Sequence, residues 1–188
     1  MIPASVTVRL PGWVEPFLRE QPDFIPELKA RMELAVELAR RNVEHATGGP
    51  FGAAVFERES GRLLAAGVNL VVLAGISAAH AELIALTLAQ LRVGSFDLGA
   101  PGLPVHELVT SVEPCAMCLG AVPWSGVRRV VCGAAGEDAE RAGFDEGAKP
   151  DAWPAELERR GIEVVRGVLR REAAKVLQEY AERGGQIY

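Results

Sequence analysis

The feature that most constrains this 188-residue chain is a pair of cysteines three apart, Cys115 and Cys118, with Pro114 in front and His80-Ala81-Glu82 35 residues upstream of Cys115. On a helix, positions three apart share a face. Pro114 suits the first turn of that helix, where a missing N–H costs nothing. Thiols near a helix N-terminus lose their protons readily, because free N–H groups and the dipole favour the thiolate, and the thiolate is the form that binds a metal. With His80 as third ligand, a zinc ion keeps its fourth tetrahedral position open for water, the layout of a catalytic rather than a structural site. Bound zinc lowers the pKa of that water toward neutrality. Glu82 is not needed as a ligand. In a helix interior, residues two apart point nearly opposite ways, so His80 and Glu82 reach one site only if His80 sits at the very start of a helix. A Cys-x-x-Cys alone reads equally well as a redox pair or as half of a structural zinc site; the upstream His-x-Glu and Pro114 favour the catalytic reading.

The rest of the chain fits that chemistry. Its length suffices for one domain with a sizeable core. Hydrophobic residues make up 49% and charged residues 24%, ordinary for a soluble globular protein. No apolar run reaches membrane-spanning length, and no basic-then-apolar N-terminus suggests export. Three cysteines, two of them taken by the motif, argue for a reducing cytoplasm rather than a disulfide framework, with Cys132 a buried strand residue. The net charge of −5 favours a small substrate over nucleic acid, whose binders usually show a basic excess.

Taken in order, residues 1–26 carry Pro3, Pro11, Pro16, Pro22 and Pro26 and read as an extended arm, with Trp13 and Phe17 as candidate anchors. The remainder, residues 27–188, reads as one domain that opens with helical spacing over 25–45, which Gly48-Gly49-Pro50 breaks. Two strands follow, 51–56 and 63–72, joined by a short polar link with Ser60-Gly61, a hairpin signal. Residues 80–91 are apolar nearly all round and read as a buried helix. Strands are expected at 106–112, 127–132 and 162–165, and helices near 137–141, 155–160 and 169–183. About thirty residues with helical content separate the last two strands, which suits a parallel crossover. The expectation is a three-layer α/β/α fold around a five-stranded mixed sheet, its last two strands parallel.

His-Ala-Glu followed by Pro-Cys-x-x-Cys resembles the zinc-dependent cytidine deaminase superfamily, in which the Glu shuttles protons and does not ligate the metal. The likeness extends to Gly49-Pro50-Phe51-Gly52-Ala53, Asn69, Trp124, Gly143-Phe144-Asp145-Glu146-Gly147 and a C-terminal helix with an aromatic tail. Over about residues 28–188 the chain is similar to the bacterial guanine deaminases of that superfamily. The resemblance implies the superfamily fold, with the two metal-bearing helices side by side under the sheet. It implies one zinc per chain on His80, Cys115 and Cys118, and Glu82 carrying a proton from the water to a ring nitrogen. It implies Phe51 and Trp124 as apolar walls, Asn69 pairing with a purine edge, Ala81 among the substrate contacts, and backbone N–H groups of the cysteine helix as further donors. A second acid, needed because the departing amino group of guanine is flanked by two ring nitrogens, falls on Glu146 in preference to Asp145. Tyr188 matches the aromatic tail that closes over the site, often a neighbour's, in a domain-swapped homodimer. The implied reaction is guanine to xanthine and ammonia, with the triazine ammeline as a further substrate. Other small amino-heterocycles or nucleosides (guanosine, cytosine, cytidine) and a tRNA adenosine deaminase stay open, the last disfavoured by the acidic composition.

Overall fold

The computed structural model describes residues 5–188; Pro3 of the expected arm lies outside the described residues. The chain runs α1 (Val14–Arg19), α2 (Leu28–Glu44), β1 (Gly52–Glu57), β2 (Leu63–Val68), α3 (Val71–Ala74), α4 (Ala81–Val93), β3 (His106–Val112), α5 (Ala116–Ser125), β4 (Arg129–Ala134), α6 (Gly136–Arg141), α7 (Trp153–Glu158), β5 (Glu163–Val165) and α8 (Arg170–Glu182). One five-stranded sheet has the order β2-β1-β3-β4-β5. The hairpin β1–β2 and the pair β1–β3 are antiparallel; β3–β4 and β4–β5 are parallel. The expected mixed sheet is therefore present, with parallel pairing reaching one strand further than the loop lengths indicated.

Strand alternation divides the interior in two. Ala53 and Val55 of β1, Leu108 of β3, and Val130 and Cys132 of β4 pack with Ala81, Ala85 and Ala89 of α4 and Trp153 of α7. Their strand neighbours Ala54, Phe56, Val109 and Val131 face the other way, against Met32, Ala35 and Leu38 of α2. Two strand glycines let these helices come close. A Cβ at Gly52 would stand 2.4 Å from the Ala35 carbonyl oxygen, and one at Gly67 would stand 2.3 Å from that of Ala81. Gly67 thus lets the first turn of α4 rest directly on β2, which is where the motif histidine sits. Among the described residues no helix is long and apolar enough to cross a membrane.

Three local expectations differ. The arm is not extended throughout: residues 14–19 form α1, with Val14 and Phe17 buried in the α2 side of the core. Trp13 anchors it by stacking on His45 with ring centroids 5.2 Å apart and donating from Nε1 to Thr47 Oγ1 at 3.0 Å. Pro16 stands inside that helix with Pro11 and Pro22 on either side of it, and apolar burial outweighs them. The second strand stops at Val68, because the Asn69 side-chain oxygen accepts the Val71 N–H at 3.2 Å and turns the chain into α3. Pro114 lies one residue before the N-cap, Cys115, rather than inside the first turn.

Candidate active site

The site forms where two helix starts meet beyond the C-terminal end of β3, the usual place for a site in a sheet with parallel strands. His80 is the N-cap of α4, with an extended ψ of 152°, and Cys115 is the N-cap of α5, with ψ 172°. The non-helical backbone at His80 lets it and Glu82 reach the same site, as the spacing required. Cys118 is buried one turn into α5.

The three ligand atoms lie within 4.8 Å of one another. His80 Nδ1 stands 3.6 Å from Cys115 Sγ and 3.5 Å from Cys118 Sγ. Ligands at about 2.3 Å (sulfur) and 2.0–2.1 Å (nitrogen) from a tetrahedral zinc are separated by roughly 3.5 Å. The donor set and its spacing therefore fit zinc. Their protonation agrees. The Cys118 thiol and His80, against burial, bring the Cys115 thiol down to about 4, while that same bond and burial push Cys118 up. A divalent cation held here would favour the thiolate form of both cysteines.

Glu82, in the first turn of α4, is buried. Burial pushes its carboxyl up to about 7, with His80 opposing and Cys115 assisting; the charge of a zinc ion acts in the direction of His80. The surrounding cavity is lined by Phe51, His80, Glu82, Glu113, Cys115, Phe144, Asp145, Glu146 and Tyr188 and measures about 30 Å³, room for about one water. Phe144 fixes the aromatic side: Phe51 meets it edge-on at 4.8 Å and Tyr188 at 5.5 Å. Tyr188 also lies edge-on to His80 at 6.4 Å, and its hydroxyl is buried without a hydrogen-bond partner. Within this one chain the tail closes the chain's own pocket.

The two acids of the 143–147 segment part company. Glu146 is 6% exposed and Asp145 points to solvent at the rim, accepting the Gly147 N–H at 2.8 Å. Burial raises the Glu146 pKa, with Lys149 opposing. Its backbone carbonyl accepts the Ala116 N–H at 2.9 Å, tying the loop to the start of α5.

Not every residue proposed from sequence arrives. Trp124 stands 84% exposed on the outer side of α5, on a line with Met117 and Gly120 that faces away from the sheet, so it walls no part of this cavity. Asn69 is buried behind Phe51, whose carbonyl takes its backbone N–H at 3.1 Å, but it does not line the cavity and its side-chain oxygen is committed to Val71. Ala81 is fully buried at the first helical position beside His80, where its N–H has no intrahelical partner. Sequence reasoning missed Glu113 and Phe144 as lining residues. Glu113 accepts Arg166 Nε at 2.5 Å and the Gly136 N–H at 3.2 Å. Its position directly before Pro114 was the available signal.

With this geometry in hand, comparison with known proteins is specific. Residues 26–134 match the model of the cytidine and deoxycytidylate deaminase zinc-binding region. A solved guanine deaminase from Nitrosomonas europaea is 49% identical, covers 97% of this chain and 99% of its own, and superposes with a TM-score of 0.91. A structure in complex with 2,6-diaminopurine is 50% identical over 98% of this chain and 96% of its own, with a TM-score of 0.92. The guanine deaminase of Bacillus subtilis (strain 168) is 38% identical over 115 residues, 61% of this chain and 69% of its own.

Proposed function

The chain belongs to the cytidine and deoxycytidylate deaminase family, and within it we propose a guanine deaminase, converting guanine and water to xanthine and ammonia. The observation that favours guanine over cytosine-type bases is the second buried carboxylate: Glu146 lines the same small cavity as Glu82. The guanine deaminase and the 2,6-diaminopurine complex among the structural relatives support a purine in that cavity.

His80, Cys115 and Cys118 hold one zinc ion, which supplies Lewis acidity and lowers the pKa of a water toward neutrality. Glu82 takes a proton from the attacking water and delivers it to the ring nitrogen beside the reacting carbon. Glu146 holds the N–H on the other flank of that carbon and helps move a proton to the departing amino group, which leaves as ammonia. Phe51 packs on the ring plane, the Ala81 N–H and the first N–H groups of α5 are donors to the substrate edge, and Asn69, its oxygen held by the Val71 N–H, offers its amide nitrogen once the pocket opens. Guanine does not fit a cavity of about 30 Å³, so Tyr188 swings out to admit it and returns to exclude water.

The active unit is a homodimer in this reading. Met117 and Trp124 give α5 an exposed apolar face beside the ligand turn, and Trp124 approaches a substrate only across such an interface. Exchange of the tails between protomers is the finer proposal. Sedimentation of wild type and Trp124→Glu reports on the dimer, and a monomeric active wild type removes it.

The deciding experiment for the reaction is ammonia release from guanine, guanosine, adenine, cytosine, cytidine and ammeline. Guanine is expected to react fastest, with ammeline accepted more slowly. Faster turnover of cytosine or cytidine replaces the proposal with a pyrimidine deaminase.

A further inference from the structure

Lys149 lies three residues after Glu146 and is itself 12% exposed at the side chain. Its Nζ donates to Glu146 Oε2 at 3.0 Å and to the Pro114 carbonyl at 3.2 Å, and stands 5.8 Å from the centroid of the Trp153 ring. Trp153 is buried at the start of α7, so this seat belongs to the core and not to a loop. Space for the ammonium is left by Gly136, where a Cβ would stand 2.8 Å from Nζ. On the other side, the Ala116 N–H is bonded to the Glu146 carbonyl. The two sequence neighbours of Cys115 are therefore both tied to the 146–149 loop, one by the Lys149 side chain and one by the Glu146 backbone. A buried ion pair of this kind usually saturates its carboxylate. Here Lys149 takes Oε2 only, which leaves Oε1 without a protein donor among the described residues.

We infer that Lys149, seated on Trp153, is a positioning residue for the deamination: it pins one oxygen of Glu146 and locks that loop to the Cys115 turn, so that the other oxygen keeps a fixed place relative to the metal ligands and the substrate ring. Lys149 does not touch the substrate in this role. The inference rests on the reading of Glu146 as the second acid. Its physical basis is that a catalytic group displaced by about 1 Å loses up to about 10²-fold in rate. Without Lys149 the Glu146 carboxylate has lost its one charged partner and is free to turn away or to take up a proton.

The test is a double-mutant cycle on the full chain, with kcat and KM for guanine, zinc content and melting temperature measured for wild type, Lys149→Met, Glu146→Gln and the double variant. Methionine keeps the stem against Trp153 and removes the charge. Lys149→Met is expected to lower kcat by about 10- to 100-fold with KM within about threefold and zinc retained. The double variant is expected to be no slower than Glu146→Gln, since nothing is left to position. Lys149→Arg, which keeps a donor and a charge, is expected to recover part of the loss; a merely structural role would not produce this pattern. Normal kcat in Lys149→Met beside a slow Glu146→Gln overturns the inference, as do losses that multiply in the double variant. Should Lys149→Met fail to fold, Lys149→Gln enters the same cycle with the same expectations. If Glu146→Gln itself turns over normally, the second-acid reading fails first, and that outcome is distinct from the other two.

Discussion

At the start of β3, Glu107 is fully buried, with Arg31 on one oxygen at 2.5 Å and Arg129 on the other. Arg31 also donates to the carbonyls of Ile25, Arg58 and Pro26, so both charges are saturated by neighbours that never leave. Beyond the end of the same strand lie Glu82, Glu113 and Glu146, equally buried, around a small cavity. There, among the described residues, Glu82 has no salt bridge and feels the motif histidine as its opposing charge, and Lys149 takes one Glu146 oxygen only. Five residues of strand, 108–112, separate a carboxylate spent on the fold from a cavity in which Glu113 is likewise held by Arg166 and the Gly136 N–H while Glu82 and Glu146 are not saturated in this way. The cause is geometric: the first end faces packed backbone, and the second faces two helix starts whose N–H groups and metal ligands leave a gap. Burial alone does not mark a catalytic acid; burial with unused hydrogen-bonding capacity does.

The contrast breaks most severely if the metal goes. Cys118→Ala is expected to lose most of its zinc and all measurable deamination; full zinc occupancy with activity by elemental analysis and assay removes the ligand assignment. Glu82→Gln comes next and isolates the proton from the ligands. Its kcat should drop by about 10²- to 10⁴-fold with zinc and melting temperature unchanged, and near-normal kcat ends the shuttle role.

The opposite end of β3 should respond the other way. Arg31→Met leaves a buried carboxylate short of a partner and three carbonyls short of a donor, an expected cost of about 3–5 kcal/mol in denaturant unfolding with kcat of the folded enzyme intact. A stable Arg31→Met, or a stable variant with collapsed kcat, erases the distinction between the two ends. Glu146→Gln sharpens it from the site side: kcat for guanine down by about 10²-fold, with a stability loss smaller than that of Arg31→Met because the near-isosteric amide oxygen still accepts from Lys149, and Asp145→Asn within about threefold because that carboxylate is at the rim. Equal effects of the two substitutions assign no special role to Glu146.

The smallest effect concerns Asp138 on α6, a buried charge with partners at the surface. Burial raises its pKa, but Arg170, the Ala135 N–H and Arg141 outweigh it and hold the carboxyl below the usual range. A folded-state pKa below the unfolded one gives stability that is fully present above the ordinary value of about 3.9 and lost as pH falls through the lower folded value. The melting-temperature gap between wild type and Asp138→Asn should be constant from neutral pH to about 5 and close on further acidification. A gap that does not close shows that hydrogen bonds, not charge, hold α6.

Much of this was legible without coordinates because it depends on neighbours in sequence. His80 and Glu82, two apart, dictated a helix starting between them, and α4 begins at Ala81. Apolar runs placed β1, β3 and β4, though not which face each residue takes, and a thirty-residue gap dictated the parallel step to β5. The motif also named Glu146 and Asp145 as the candidate second acids; that Glu146 is buried and Asp145 exposed came only with the fold. Other features depend on what lies across the fold, where spacing says nothing. Lys149 reads as an ordinary surface lysine until Trp153 and Pro114 close around it. Asn69 reads as a free amide until its oxygen turns the chain at Val71, and Trp124 as a pocket wall until α5 rotates it outward. Local periodicity and motif spacing are set by covalent geometry and helix pitch, which the sequence contains. Which polar atoms are left without a partner is settled only when distant segments pack, and in this protein that difference separates Glu107 from Glu146.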